Sequence, residues 1–406
     1  MEASFFLPMT DVELDQRCVL IREDFNVPLE DGRVVSDERL RRALPTIRLA
    51  LEAGAAVILV SHLGRPKEAQ FDNTVSLKPV AEALAQLLAH PVRFHELPDV
   101  HEEDFSSWKS LRASLKPGDV VLLENIRFMP GEQANHPALA KHLAGLCDVF
   151  VMDAFATAHR AQASTEAVIH HAPIACAGPL LIEELSALRA AFDDPARPLV
   201  AVVGGSKVST KIHVLQSLIH KVNVLIVGGG IANTFLKAAG YPVGKSLIEN
   251  DWVEAAKNML LEAQRLGVEI PLPKDVVVAK EFSPQAKPEI KLVTAVADDD
   301  MILDVGPLTQ ASYPDLFARA NTVVWNGPVG VFEFDAFAAG TKALAQAITQ
   351  SSAFSLAGGG DTISALEKFQ LADRISYIST GGGAFLEYLE GRPLPALEAL
   401  KARLNQ

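Results

Sequence analysis

Cysteine is scarce in this sequence. Cys18, Cys147 and Cys176 lie far apart, and none belongs to a CxxC pair. That spacing excludes a disulfide framework and a cysteine-based zinc site. It fits a reducing compartment, so a cytoplasmic location is expected. Basic charge is also in deficit, with 37 Lys and Arg against 50 Asp and Glu and a formal charge of −13. Such a chain has no general attraction for nucleic acid or anionic membrane, although a local basic cleft can still hold a small anion. Long hydrophobic runs are missing: no stretch approaches the ~20 apolar residues of a membrane span. The opening MEASFFLPMTDVELD lacks a basic n-region and an apolar segment, so neither export nor insertion is expected. Two nucleotide fingerprints are absent as well. GGG at 228–230 runs on into IANTF without completing GxGxxG, and GGGDT at 358–362 lacks the Lys-Ser/Thr of a Walker loop. The first absence argues against a nicotinamide-dependent dehydrogenase. The second raises the question of what supplies positive charge to a phosphate.

What the sequence does contain is a repeated alternation. At 406 residues, 49% hydrophobic and 21% charged, the chain is a globular protein long enough for two domains. Short apolar runs VLI (19–21), AAVILV (55–60), VVLL (120–123) and VFVM (149–152) are separated by helical patterns such as SLKPVAEALAQLLAH, with Ser76 as its cap. The same alternation returns with LVAVV (199–203), VLIV (224–227), VVVA (276–279), TVVW (322–325), FSLA (354–357) and ISYIS (375–379). Strands alternating with helices predict parallel sheets covered on both faces. The expected architecture is α/β: two doubly wound, Rossmann-like domains facing a central cleft and joined by a helical hinge. The expected limits are 1–177, a connecting helix and hinge over 178–198, 199–388, and a terminal helix at 389–406 packing back on the first domain.

The residues after each strand carry the chemistry, because ligands of open α/β sheets bind at the carboxyl ends of the strands. In the first half these ends read REDFN, SHLGRP, ENIRF and DAFATAHR, which present Asp24, Asn26, His62, Arg65, Arg127 and Arg160. Arg39 joins them from the first turn of a helix that Ser36 is placed to cap, where a cation opposes the helix dipole. Arginine grips planar carboxylates and phosphates in bidentate fashion, so this half suits a compact, multiply charged anion. In the second half the strand ends read GGSKVSTK, GGG, WNGPVGVFE, GGGDT and STGGGA. Lys207 and Lys211 stand four apart at the expected start of a helix, stacking two ammonium groups that an anion would reconcile. They supply the charge that GGGDT lacks. Asp361 is then free to hold the Mg²⁺ a nucleotide carries, Thr362 can cap the next helix toward a phosphate, and Glu333 can accept a ribose hydroxyl. Surface arginines and an ordinary helix cap are the competing readings of each motif taken alone. Their recurrence at strand ends favours binding.

Together, REDFNVP, SHLGRP, ENIRF, DAFATAHR, GGSKVSTKI, GYPVGKSLIE, DVGP, WNGPVGVFE, GGGDT and STGGGA resemble the phosphoglycerate kinase family, in the family's order and over essentially the whole chain. Glu23 and Ser206 depart from it, standing where relatives often have smaller or apolar residues. The resemblance implies reversible, magnesium-dependent phosphoryl transfer between 1,3-bisphosphoglycerate and ADP, giving 3-phosphoglycerate and ATP. It assigns the phosphoglycerate to Asp24, Phe25, Asn26, Arg39, His62, Leu63, Gly64, Arg65, Arg127 and Arg160. It assigns Mg-ADP or Mg-ATP to Gly205, Lys207, Lys211, Asn326, Glu333, Gly359, Gly360, Asp361, Thr362 and Gly382, with the metal on Asp361 and Arg39 and Lys211 as the catalytic cations. It also implies a hinge-bending cytoplasmic monomer without nucleic-acid or membrane partners. The alternative from another class is a catalytically silent, two-domain anion- and nucleotide-binding protein.

Overall fold

The computed structural model describes residues 6–97 and 105–404. Two compact units are formed, Met1–Leu185 with Pro393–Gln406, and Ser186–Arg392.

The first unit is built on a six-stranded sheet in the order Arg93–His95, Val120–Leu123, Ala56–Val60, Cys18–Arg22, Val149–Met152, Ile174–Ala177. All neighbours in it are parallel. Cys18–Arg22 and Ala56–Val60 are buried at every position, as strands covered on both faces must be. The helix Glu38–Glu52 buries Leu40, Leu44 and Ile47 against the sheet. Its cap position is Asp37 rather than Ser36, and the Asp37 carboxylate is engaged by Arg41 at 2.7 Å instead of by the helix backbone. The next helix, Lys78–Leu88, likewise begins later than Ser76 suggested. Ser76 accepts from the Lys78 N–H at 3.2 Å while donating to the buried carboxylate of Glu124 at 2.6 Å. The chain leaves this unit through the helix Pro179–Leu188, which continues into a π-helical turn at Arg189–Asp193. The helix Pro395–Leu404 returns to it, with Arg403 donating to the carbonyls of Ala172 and Pro173 at 2.9 and 3.0 Å.

The second unit has a five-stranded parallel sheet, ordered Val224–Gly228, Leu199–Gly205, Thr322–Asn326, Phe354–Gly358, Tyr377–Ser379. The run VVVA at 276–279 is not part of it. Its strand, Asp275–Ala279, pairs antiparallel with Glu289–Leu292 and Met301–Val305 in a separate sheet. Apolar composition marked it as a strand, and composition carries no information on direction. Trp325, Phe317 and Leu344 anchor the core beside the parallel sheet.

In each parallel sheet the chain runs outward in one direction and then crosses back to start the other side. The resulting switch points lie between Cys18–Arg22 and Val149–Met152, and between Leu199–Gly205 and Thr322–Asn326. Leu20 sits in the central strand of the first sheet with no exposed surface. Leu20→Ala is expected to lower unfolding stability by about 3 kcal/mol in urea titrations; a loss below about 1 kcal/mol would contradict this packing.

Candidate functional site

At the first switch point, Asp24 and Arg39 form an ion pair, and His62 Nδ1 lies 3.9 Å from Asp24 Oδ1. Asn26 Oδ1 accepts from the Gly64 N–H at 2.8 Å, and the N–H of fully buried Phe25 donates to Ser61 Oγ at 2.8 Å. Asn125 donates to Leu63 O at 2.7 Å, and Arg127 donates to Gly64 O. One network therefore joins the loops after three adjacent strands. Arg65 is exposed next to it. Arg160 donates to His159 Nε2 at 3.3 Å and sits close enough to influence both His62 and Arg127.

Positive charge is held here against its solvation. Burial lowers the Arg127 guanidinium to about 10, helped by Arg160 and Arg22. Its Nε–H has no hydrogen-bond partner among the described residues, which leaves a buried donor available to an incoming anion. Burial, followed by Arg22, Arg127, Arg160 and Arg39, holds the His62 imidazole well below its usual range, so the ring is neutral. Beneath the site Glu23 and Asp153 face each other as a buried carboxyl pair. Burial and then Asp153 push Glu23 well above the carboxylate range, and burial raises Asp153 to about 6. Asp153 accepts from Thr46 Oγ1, on the Arg39 helix, at 2.5 Å and from the Leu181 N–H at 3.0 Å, tying that helix to the first turn of Pro179–Leu188.

At the second switch point two backbones touch. A Cβ on Gly204 would sit 2.6 Å from the carbonyl carbon of Gly327, so only glycine permits this crossing. Lys211 spans it. Its ammonium donates to Gly204 O at 2.5 Å, to Asn326 Oδ1 at 2.6 Å and to Asn326 O at 3.3 Å. Asn326 also donates to Gly358 O at 2.7 Å, which links the loop of the next strand. Burial lowers Lys211 to about 8, with Asp361 the opposing influence.

Three expectations about this region are corrected. The helix expected to begin with Lys207 and Lys211 starts at Ile212, with Lys211 at its cap, so the two ammonium groups are not stacked on one helical face. Glu249 pins the preceding residues as a turn by accepting from the Ser209 N–H and hydroxyl at 2.8 and 2.5 Å, and Lys207 is exposed on it. Thr362 is not a cap. The helix Gly360–Lys368 is capped by Gly359, at φ +97°, and fully buried Thr362 donates to Gly358 O at 3.0 Å and accepts from the Gly327 N–H at 2.7 Å. Its hydroxyl is committed to fastening two loops, because the glycine turns the chain before Thr362 is reached.

A cavity of about 760 Å³ opens beside this crossing. Its walls include Leu236, Val276, Leu303, Val329, Phe282 and Phe334, the last two with ring centroids 5.0 Å apart. Gly205, Glu333 and Asp361 line it; Lys207, Lys211, Asn326, Gly359, Gly360, Thr362 and Gly382 do not. Gly382, at φ +50°, caps the helix Gly383–Leu389. An apolar slot with glycine-rich turns and helix N-termini nearby suits a flat base carrying phosphates.

The family model for phosphoglycerate kinase matches residues 9–392. The chain belongs to the phosphoglycerate kinase family. It is similar to the solved structure of phosphoglycerate kinase from Coxiella burnetii, with 54% identity, TM-score 0.91, and 98% of this chain and 99% of that one covered. It is also similar to phosphoglycerate kinase from Pyrococcus horikoshii OT3, with 31% identity, TM-score 0.82 and the same coverage. As a phosphoglycerate kinase family member it is a phosphotransferase that takes a nucleotide and a phosphoglycerate as small-molecule substrates. Among the described residues, no helix is long and apolar enough to cross a membrane.

Sequence reasoning missed the groups that hold these loops in place: Arg22, Asn125, Glu132, Ser164 and Glu249. Arg22, Asn125 and Glu249 lay inside quoted motifs, but nothing in a sequence tells an inward-facing polar side chain from an outward one. The lowered Lys211 has a consequence for stability. From about pH 8 to 10.5 the unfolded lysine keeps a proton that the folded one has released. Stability of the unliganded protein should therefore rise through that window relative to Lys211→Met. Parallel unfolding curves for the two proteins across this range would contradict the buried ammonium.

Proposed function

We propose that the first unit binds 3-phosphoglycerate through Asp24, Asn26, Arg39, His62, Arg65, Arg127 and Arg160, with Phe25, Leu63 and Gly64 shaping the loops that carry them. The second unit binds ADP or ATP. In it Gly205, Gly359, Gly360 and Gly382 bring backbone to the nucleotide, Asn326 and Thr362 fasten the loops, Lys207 and Lys211 meet the phosphates, and Glu333 takes the ribose. The observation that carries this reading is the ammonium of Lys211, half-buried at a strand switch point with only carbonyl oxygens as acceptors. Such a group is short of negative charge, and a nucleotide phosphate provides it.

Asp361 fits a magnesium ion. Its carboxylate is exposed in the first turn of the Gly360–Lys368 helix, lines the cavity, and makes no hydrogen bond to the other described residues. One carboxylate plus phosphate oxygens and water is a common Mg²⁺ arrangement. When bound, the ion neutralises charge on the nucleotide phosphates.

In the ATP-consuming direction the nucleophile is a carboxylate, ionised at neutral pH, so the chain needs no general base. Its task is to place two substrates in line, exclude water, and neutralise charge on the phosphoryl oxygens in transit. Arg39 and Lys211 do the last. Substrates on separate units must meet, so hinge closure about 178–198 accompanies turnover of domains 1–177 and 199–388, with 389–406 serving the first. Three cysteines, all buried and free, suit a cytoplasmic setting, and we take the working form to be a monomer.

Purified protein with Mg-ATP and 3-phosphoglycerate, coupled to glyceraldehyde-phosphate dehydrogenase, should consume NADH only when magnesium is present. Lys211→Ala and Arg39→Ala should each lower kcat by on the order of 100-fold. Full activity in both variants would overturn their assignment.

A further inference from the structure

Arg22 ends the central strand of the first sheet with no exposed surface, and each nitrogen of its guanidinium has a partner. Nε donates to Ser164 Oγ at 3.0 Å, Nη1 donates to Glu23 O, and Nη2 lies 3.2 Å from His62 Nδ1. A guanidinium has donors and no acceptor. The ring nitrogen must therefore accept at that contact, and the imidazole proton resides on Nε2.

The other side of Arg22 is fixed just as strictly. Ser164 donates its hydroxyl proton to Glu132 Oε1 at 2.6 Å and its N–H to Oε2 at 2.9 Å. The hydroxyl can then only accept from Arg22. Glu132 is itself fully buried, and its carbonyl accepts from the Ala163 N–H at 3.0 Å. In the row Glu132, Ser164, Arg22, His62, the carboxylate orients the serine hydroxyl, the hydroxyl fixes the position of the guanidinium, and the guanidinium, a donor on every nitrogen, sets the acceptor role of His62 Nδ1. Reversing the tautomer of His62 would face an N–H with a guanidinium donor. No hydrogen bond from the described residues engages Nε2, the position left for a ligand.

We propose that Glu132 and Ser164 are positioning residues that act through Arg22 to hold His62 as the Nε2–H tautomer, so that the ring offers the phosphoglycerate an uncharged hydrogen-bond donor. This rests on the reading of His62 as part of the phosphoglycerate site. Arg22, Arg39, Arg127 and Arg160 all act on the ring; the Asp24 carboxylate, 3.9 Å from Nδ1, is already paired by Arg39, and Glu23 and Glu132 lie behind Arg22. Adding a proton to the ring would add a further cation to that group.

The direct test is nitrogen-15 NMR of the histidine rings in the full-length protein, with His62→Gln identifying the His62 signals. Between about pH 5.5 and 8 the expected result is a constant Nε2–H pattern. An Nδ1–H pattern, or titration of the ring in that interval, would overturn the proposal. Ser164→Ala breaks the row, and should give a mixed tautomer at His62 and raise KM for 3-phosphoglycerate about 5-fold with kcat held. Ser164→Thr, which restores a hydroxyl, should recover both. A Ser164→Ala protein with unchanged ring signals and unchanged KM removes Ser164 and Glu132 from the positioning role. Should 3-phosphoglycerate leave the His62 signals of the wild type unmoved, the assignment of His62 to the substrate site fails, whereas the tautomer is judged by the ring pattern alone.

Discussion

Both units depend on one electrostatic constraint: a cation held at the carboxyl end of a buried parallel strand loses water without gaining a full counter-charge. Lys211 has three oxygens around it, none of them a carboxylate, and burial lowers its affinity for a proton. Burial lowers Arg22 and Arg127 too; Glu132 and Asp24 oppose it at both, and Glu23 also opposes it at Arg22. The parallel sheets produce this situation. Their strand ends collect on one edge, so that loops distant in sequence deliver like charges to the same place. A bound phosphate reverses the balance, which is why these positions suit substrates that carry several negative charges.

The constraint explains where the supporting polar groups sit. Other carboxylates stand behind the strand-end loops that carry Asp24 and Asp361: Glu132 is reached through Ser164, and Glu23 and Asp153 form a buried pair under the first switch point. Buried asparagines join the loops themselves. Asn125 and Asn326 bridge adjacent loops through both ends of their amides, adding rigidity without adding charge. Gly204 and Gly327 let two backbones approach so closely that carbonyl oxygens can crowd around the Lys211 ammonium.

Much of this was legible in the amino-acid order because each apolar run is short, buried on both faces and followed at once by its functional residues. The alternation predicts the parallel sheets, and the sheets put REDFN, SHLGRP and ENIRF on one edge, and GGSKVSTK, WNGPVG and GGGDT on the other unit's edge. What escaped depended on direction and on depth. VVVA at 276–279 reads like its neighbours yet runs antiparallel in a sheet of its own. Thr362 has the chemistry of a cap, but the positive φ of Gly359 starts the helix earlier. Lys207 and Lys211 have helical spacing, but Glu249, about 40 residues away, holds them in a turn. Ser164 and Glu132 carry no pattern of their own, since their importance comes from facing inward toward Arg22.

The central claim is that these two charge-deficient sites serve transfer of a phosphoryl group onto a carboxylate. An acyl phosphate is distinguishable from a phosphate ester by its reaction with hydroxylamine. Enzyme, Mg-ATP and 3-phosphoglycerate should therefore yield ADP together with a hydroxamate when hydroxylamine is present, and a transient acyl-phosphate resonance in the phosphorus NMR spectrum when it is absent. ADP formed without hydroxamate, or with a phosphate ester as product, would contradict the account.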